Sequence, residues 1–352
     1  MILKQDSEIK KITDPLNEIP LPGIFKLLNY NHHSPTSSEM LDGPFVFQKL
    51  FLTQEQRRLL EGNANMAAGV VTNDALQWHY SDVIWKMNPL TKKLQPQQNE
   101  KLSKEAAIQK AVEKFKEYNP VNDKDRDKFE RYKETIPLTI RNGFRACEKI
   151  GIATAKKITA EASINHTDNR LHLPIVGRTD LHLEDFKSSE QSDGASASHN
   201  SSSVLSVLEV KTVWDKPLKI KKDGSRSFSS AKLPSSPSLS HLRQLSFYAT
   251  NFFTRSPCSP YLIYLSADGF EIYTKNNCGD LEKANIKNYY EQLVKKCIRR
   301  ERLLTRYSQL NDKDAIIKNI IADTDPQFDH PFYWSIGHDF VKAAKELWSN
   351  TK

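Results

Sequence analysis

The chain has 352 residues, of which 38% are hydrophobic, and 51 Lys and Arg against 43 Asp and Glu give a formal charge of +8 at pH 7. With a mean hydropathy of -0.60, this length suits a water-facing globular protein with one large core or two smaller ones, and no apolar run approaches the ~20 residues of a membrane helix. The charge favours a polyanionic partner without identifying one, and Cys147, Cys258, Cys278 and Cys297 are too scattered for a zinc ribbon or a disulfide framework.

The opening MILKQDSEIKK carries Asp6 and Glu8 and lacks a long apolar core, unlike a secretion signal or an acid-poor transit peptide. Residues 1–52, rich in Pro, Asn and Ser with one apolar stretch, PGIFKLL, are expected to wrap a domain instead of forming one. In TQEQRRLL, Thr53 and Gln56 have capping-box spacing and predict a helix start. GVVTNDALQWH (69–79) and KLSKEAAIQKAVEKFKEY (101–118) are two further helices, the second with Leu102, Ala106, Val112 and Phe115 as its apolar stripe. The segment 126–157 is helical in pattern, with Pro137 expected to break or kink it. The N-terminal half is therefore mostly α.

From Thr159 the period changes. ITAEASINH, LHLPIVGRTDLHLEDF and VLSVLEVKTVW, rich in Val, Ile, Leu and Thr, predict strands. Residues 187–203, KSSEQSDGASASHNSSS, are too polar to bury and are expected to form a flexible loop lengthening the hairpin between the last two. HLRQLSFYATNFF has helical spacing, PYLIYLSADGFEIYT turns as a hairpin at Asp268 and Gly269, and the basic tail from Asn288 is helical, closing with DFVKAAKELW. There is no internal repeat and no clean linker, so one α/β domain spanning 53–306 is expected, with 307–352 as a helical extension.

Alternation along a strand puts Glu209 and Lys211 of LEVK on one face, and Leu208, Val210 and Thr212 on the other. The hairpin brings Asp180 of GRTDLHL beside Glu209. Burying two carboxylates and an ammonium without partners costs several kcal/mol each, so a divalent cation or a fully satisfied network is expected there. Oxygen ligands favour magnesium or manganese over zinc. A cation held by Asp180 and Glu209 would lower the pKa of a bound water, with Lys211 orienting that water or offsetting phosphate charge, which is the chemistry of phosphodiester hydrolysis. A bare ExK tripeptide is common and is more often the mark of a salt bridge on an edge strand.

The ordered pattern D(x28)ExK on two strands, followed by a helix with Gln244 and Tyr248 four residues apart, resembles the PD-(D/E)xK nuclease superfamily. Within it the chain is most similar to the RecB-like exonuclease branch, including mitochondrial genome maintenance exonucleases and small phage exonucleases, over roughly Gly69 to Arg306. The resemblance implies a restriction-endonuclease-like mixed central β-sheet flanked by helices. It also implies a metal-dependent DNA exonuclease preferring single-stranded ends. Asp180, Glu209, Lys211, Gln244 and Tyr248 become the catalytic set, with Asp180, Glu209 and the Val210 carbonyl as metal ligands and Glu161 as an additional acidic residue one strand earlier. The branch usually places a metal-ligating His where this chain has Asn73, followed by Asp74; an Asn supplies one oxygen, so the departure bears on metal preference and rate.

Between Lys211 and Lys232 there are seven Lys or Arg against two acids. Lys219, Lys221, Lys222 and Arg226, with Arg243 on the next helix, are the candidate phosphate contacts; alone, such a run is as well read as a solvated loop. The second basic run, KKCIRRERLLTR, reads as an exposed helix face, FYW at 332–334 as core, and His32 and His33 as loop residues instead of ligands. The widely spaced cysteines argue against the iron–sulfur RecB-like group, so no cluster is expected. A catalytically weakened DNA-binding module and a structure-specific endonuclease of the same fold are the alternatives. The partner is DNA and not a membrane. An intracellular setting is expected, in host cytoplasm for a phage-encoded enzyme or, second, the mitochondrial matrix.

Overall fold

The computed structural model describes residues 23–60, 63–88, 93–186, 205–220, 226–253 and 258–351. The chain is mixed α/β and divides into two compact units, one from Ala64–Ile164 and Arg178–Tyr290, the other from Met1–Asn63, Asn165–Gly177 and Glu291–Lys352. The units are assembled from separated stretches and do not follow the linear division 1–52, 53–306 and 307–352. The Ser-rich segment 187–203 lies outside the described residues.

The first unit holds a seven-stranded mixed sheet. Its strands are β1 (Val83–Met87), β2 (Leu94–Gln98), β3 (Lys157–Ala160), β6 (Leu181–Glu184), β7 (Leu205–Thr212), β10 (Cys258–Leu265) and β11 (Phe270–Tyr273), in the order β11-β10-β7-β6-β3-β1-β2. β4 (Ser163–His166) with β5 (Ile175–Arg178), and β8 (Lys216–Ile220) with β9 (Arg226–Ser229), form two-stranded ladders of their own. β10 runs parallel to β7 and is buried at every residue, which explains its unbroken apolar run. The hairpin at Asp268 and Gly269 forms as expected, β10 pairing antiparallel with β11.

Two expected strands are each broken. ITAEASINH splits into β3 and β4 because Glu161 adopts φ 54, a left-handed conformation that ends an extended run. LHLPIVGRTDLHLEDF contributes β5 and β6 separately.

The helices Ala64–Tyr80, Lys104–Lys116 and Asp123–Ile150 stand where the spacing predicts helices, but the first begins before Gly69, and the third begins before Arg126 and ends at Ile150 instead of residue 157. Ser103 caps the second, accepting from Ala106 N–H, and Asn122 caps the third, accepting from Asp125 N–H; Gly151 at φ 78 closes it. The second buries Ala107, Ala111 and Phe115; Ala106, expected in the stripe, is exposed. Pro137 does not end the third helix, which runs 28 residues through it. An interior proline costs about 3 kcal/mol, but Tyr132, Ile136, Ile140 and Phe144 are buried on both sides of it, each contributing about 1.5–3 kcal/mol. Gly143 makes close packing possible: a Cβ there would lie 3.0 Å from Leu76 and Leu265 side-chain atoms.

The second unit is mainly helical, with a core that includes Phe25, Phe45, Phe47, Ile316, Ile320 and Trp348. The capping box forms: Thr53 N–H donates to Gln56 Oε1 at 2.9 Å, and Gln56 N–H to Thr53 Oγ1 at 3.2 Å. Of the FYW triplet only Tyr333 is core; Trp334 is 67% exposed. His33 is not a loop residue in the exposed sense but fully buried, hydrogen-bonded to Glu301.

Candidate active site

The antiparallel register of β6 and β7 pairs Leu181 with Leu208 and His182 with Val207. One step outward, Asp180 therefore stands opposite Glu209, where β6 has ended and its ladder is no longer made. Asp180 turns its carboxylate into that gap: Oδ2 accepts the Val210 N–H at 2.7 Å, and Oδ1 accepts from Asn73 Nδ2 at 3.2 Å. In an extended strand one residue's N–H and C=O point to the same side, so the Val210 carbonyl is directed toward the same edge.

Glu209 and Lys211 share a face of β7, as alternation requires. Lys211 Nζ donates to Glu209 Oε1 at 2.7 Å and to Gln244 Oε1 at 2.9 Å. Gln244 Nε2 donates to the Tyr248 hydroxyl at 3.2 Å. Gln244 and Tyr248 lie on the helix Leu239–Phe253, and their i, i+4 spacing puts them on one side of it. The result is a continuous chain of contacts from Glu209 through Lys211 and Gln244 to Tyr248. Tyr248 is buried, so its visible role is to hold Gln244, not to face a ligand.

Glu161 joins from the end of β3. Gln77 Nε2 donates to its Oε1 at 2.9 Å, and Arg178 Nη1 approaches its Oε2 at 3.2 Å. Sequence reasoning missed both partners. Gln77 lies four residues after Asn73, on the same helix face, and Arg178 lies two residues before Asp180; these spacings were the available signals.

The electrostatics are those of a site short of positive charge. Burial, then the Glu209 carboxylate, raises the Asp180 pKa well above the usual range. Burial likewise raises Glu209, against the lowering effect of Lys211. Burial acts to lower Lys211, but Glu209 and Asp180 more than offset it, so its ammonium is held charged. Burial pushes the Tyr248 phenol up, keeping it neutral.

Two buried oxygens, Glu209 Oε2 and Asn73 Oδ1, have no hydrogen-bond partner among the described residues. A buried acceptor without a donor is costly, and both atoms are hard oxygen donors; Asn73 presents Nδ2 to Asp180, so its Oδ1 would reach a cation held there once the amide turns over. Among the described residues no three His, Cys, Asp or Glu side chains are gathered as a metal group. A cation here would draw instead on two carboxylates, an amide oxygen and a backbone carbonyl, a donor set that suits magnesium, which keeps several of its waters. The residues present fit that ion.

The proposed DNA contacts fare differently. Arg226 is engaged by Asp127 and donates to the Leu218 carbonyl at 3.2 Å, in a cavity also lined by Glu130 and Glu134. It is not brought to Lys211. Arg243 is half-buried on the Gln244 helix. Lys219 lies on β8, whereas Lys221 and Lys222 lie outside the described residues. All four cysteines are free, three of them buried. Among the described residues no helix is long and apolar enough to cross a membrane.

No protein-family model matches the chain, and no curated protein sequence matches it, so the reading of this site rests on its own geometry.

Proposed function

We propose that the protein is a divalent-cation-dependent DNA exonuclease, of the PD-(D/E)xK kind, acting on single-stranded ends. The observation that carries the reading is Asp180 set opposite Glu209, with Lys211 Nζ on Glu209 and Gln244 and with Glu209 Oε2 left buried and unpartnered. An unpartnered carboxylate oxygen on Glu209, together with an Asp180 carboxyl raised by burial and then by Glu209, favours a cation shared by the two over a closed salt bridge.

Asp180, Glu209, Asn73 and the Val210 carbonyl would hold magnesium or manganese. Bound there, such an ion supplies Lewis acidity and lowers the pKa of water. The protein's own residues do the rest. Lys211, kept charged by two carboxylates, presents a fixed ammonium to a phosphate or to the attacking water. Gln244 sets the direction of that ammonium, and Tyr248 sets Gln244. Gln77 and Arg178 hold Glu161 at the rim, where its charge raises the demand for a cation.

The test is the fate of end-labelled single-stranded, duplex and circular DNA in magnesium or manganese. Nucleotides released from free single-stranded ends are expected. Cleavage of circles would favour the structure-specific endonuclease, and binding without cleavage the weakened DNA-binding module. No effect on any DNA would overturn the proposal.

A further inference from the structure

A second feature adjoins the site. A cavity of about 320 Å³ is lined by Asn65, Met66, Thr212, Val213, Trp214 and Lys216. Two of these, Thr212 and Val213, directly follow Lys211 in the chain, Thr212 on the other face of β7, so the cavity opens past the end of the strand that carries Lys211. Its volume falls at the low end of the range that accepts small organic groups.

The helix Ala64–Tyr80 connects the two places. At 100° per residue, Met66, Val70, Asn73 and Gln77 fall on one stripe. The lower half of that stripe is polar and committed, Asn73 to Asp180 and Gln77 to Glu161. The upper half is apolar and solvent-exposed, Met66 being 56% and Val70 53% exposed. Apolar side chains scattered singly on a surface call for no explanation, but these two lie in line with Asn73 and Gln77, and Met66 itself lines the cavity, with Val70 one helical turn from it. From Asn73 to Met66 the rise along the helix is about 10 Å, roughly the reach of one or two nucleotides along an unpaired strand.

The cavity is also rigid. Trp214 is buried, donates its indole N–H to Thr212 Oγ1 at 3.0 Å, and packs against Tyr132 with ring centroids 4.9 Å apart. Gly69 lets the helix close on the strand, since a Cβ there would meet Thr212 Oγ1 at 3.1 Å. Lys216 is exposed at one edge. An apolar slot with a rigid floor and one exposed cation matches a nucleotide: a flat apolar base and an anionic phosphate.

We infer that this groove receives one base of an unpaired DNA strand next to the phosphate at Lys211, with Met66 and Val70 against the base and Lys216 on the backbone. The inference rests on the nuclease reading. A base in the slot is out of a duplex, which gives single-strand preference a structural origin, and apolar contact with a base face carries no sequence preference.

Binding of single-stranded oligonucleotides carrying one abasic residue, moved stepwise from the end, tests this in EDTA with the full chain. For the wild type, one or two registers are expected to weaken binding about tenfold, the scale of a single stacked base. The double variant Met66→Ser, Val70→Ser should bind the intact strand weaker by a similar factor and be indifferent to the abasic position. Met66→Leu with Val70→Ile should restore the register dependence, which separates loss of apolar contact from loss of fold. A wild type indifferent to abasic position, or a serine variant that keeps the dip, overturns the groove while leaving the nuclease reading intact if magnesium-dependent cleavage persists. Absence of both binding and cleavage overturns the two together.

Discussion

Asp180 and Glu209, two carboxylates set opposite each other and both raised by burial, are a fault in the fold that the proposed cation would repair. Because burial and then Glu209 raise Asp180, the folded chain retains a proton there that the unfolded chain releases above about pH 4. The folded state thus binds more protons, and stability from this group falls as pH rises from about 4 through its raised folded value. Asp180→Asn removes the fault. Asn73 can meet the new amide by turning its unpartnered Oδ1 toward it. In EDTA at pH 7.5 this variant is expected to melt about 3 °C or more above wild type, and the gap should close toward pH 4. Magnesium or manganese should raise the melting temperature of wild type alone. A variant less stable than wild type at pH 7.5 would contradict this account. The convergence of Asp180, Glu209 and Lys211 was legible in the sequence because strand alternation fixes side-chain directions; Gln244 and Tyr248 came from the resemblance, and i, i+4 spacing added only that they share a helix face. Gln77 and Arg178 were not legible, because their shared partner Glu161 takes a left-handed conformation that nothing in TAEAS announces.

Among the elements, the helix carrying Asn73 and Gln77 is anchored at its start by a residue from another helix. Asp125, 3% exposed, accepts from Ala64 N–H at 2.8 Å, from the Tyr118 hydroxyl at 2.6 Å and from Val121 N–H at 3.2 Å. Asp125→Ala strands these buried donors, so a loss of about 2–4 kcal/mol is expected in denaturant unfolding. Since the anchored helix also positions Asn73, cation affinity should fall in the same variant. A loss under about 0.5 kcal/mol would show that the cap does not hold the helix. The Thr53–Gln56 capping box and the Asp268–Gly269 hairpin were readable because each is local chemistry; the stop at Gly151 was missed, the helical pattern running on to residue 157. The passage of a helix through Pro137 was not readable, since long-range burial of its flanks decides it.

At the scale of the whole molecule, the two units have separate cores and opposite responses to acid. In the helical unit Glu301 is buried; burial alone would raise its pKa, but hydrogen bonds from His33, then from the His172 backbone and side chain and the Leu173 N–H, hold it down at about 2. A depressed carboxylate stabilises the fold above its unfolded value near 4.3, and that stability is lost as pH falls toward 2. Glu301→Gln should therefore be less stable than wild type at pH 7, with the difference shrinking between about pH 4.5 and 2; a constant difference over that range would remove the carboxylate from this role. The +8 charge, by contrast, was a weak guide, since Arg226 proves tied to Asp127.

The most direct measurement is release of labelled nucleotide from linear single-stranded DNA in manganese by wild type, Lys211→Ala and Glu209→Gln, with DNA binding measured in parallel. Wild type is expected to release nucleotides, and both variants to lose at least about a thousandfold in rate while binding DNA within a few-fold of wild type. Equal release by Lys211→Ala, or none by wild type in any cation, would contradict the assignment and return these charges to a structural role.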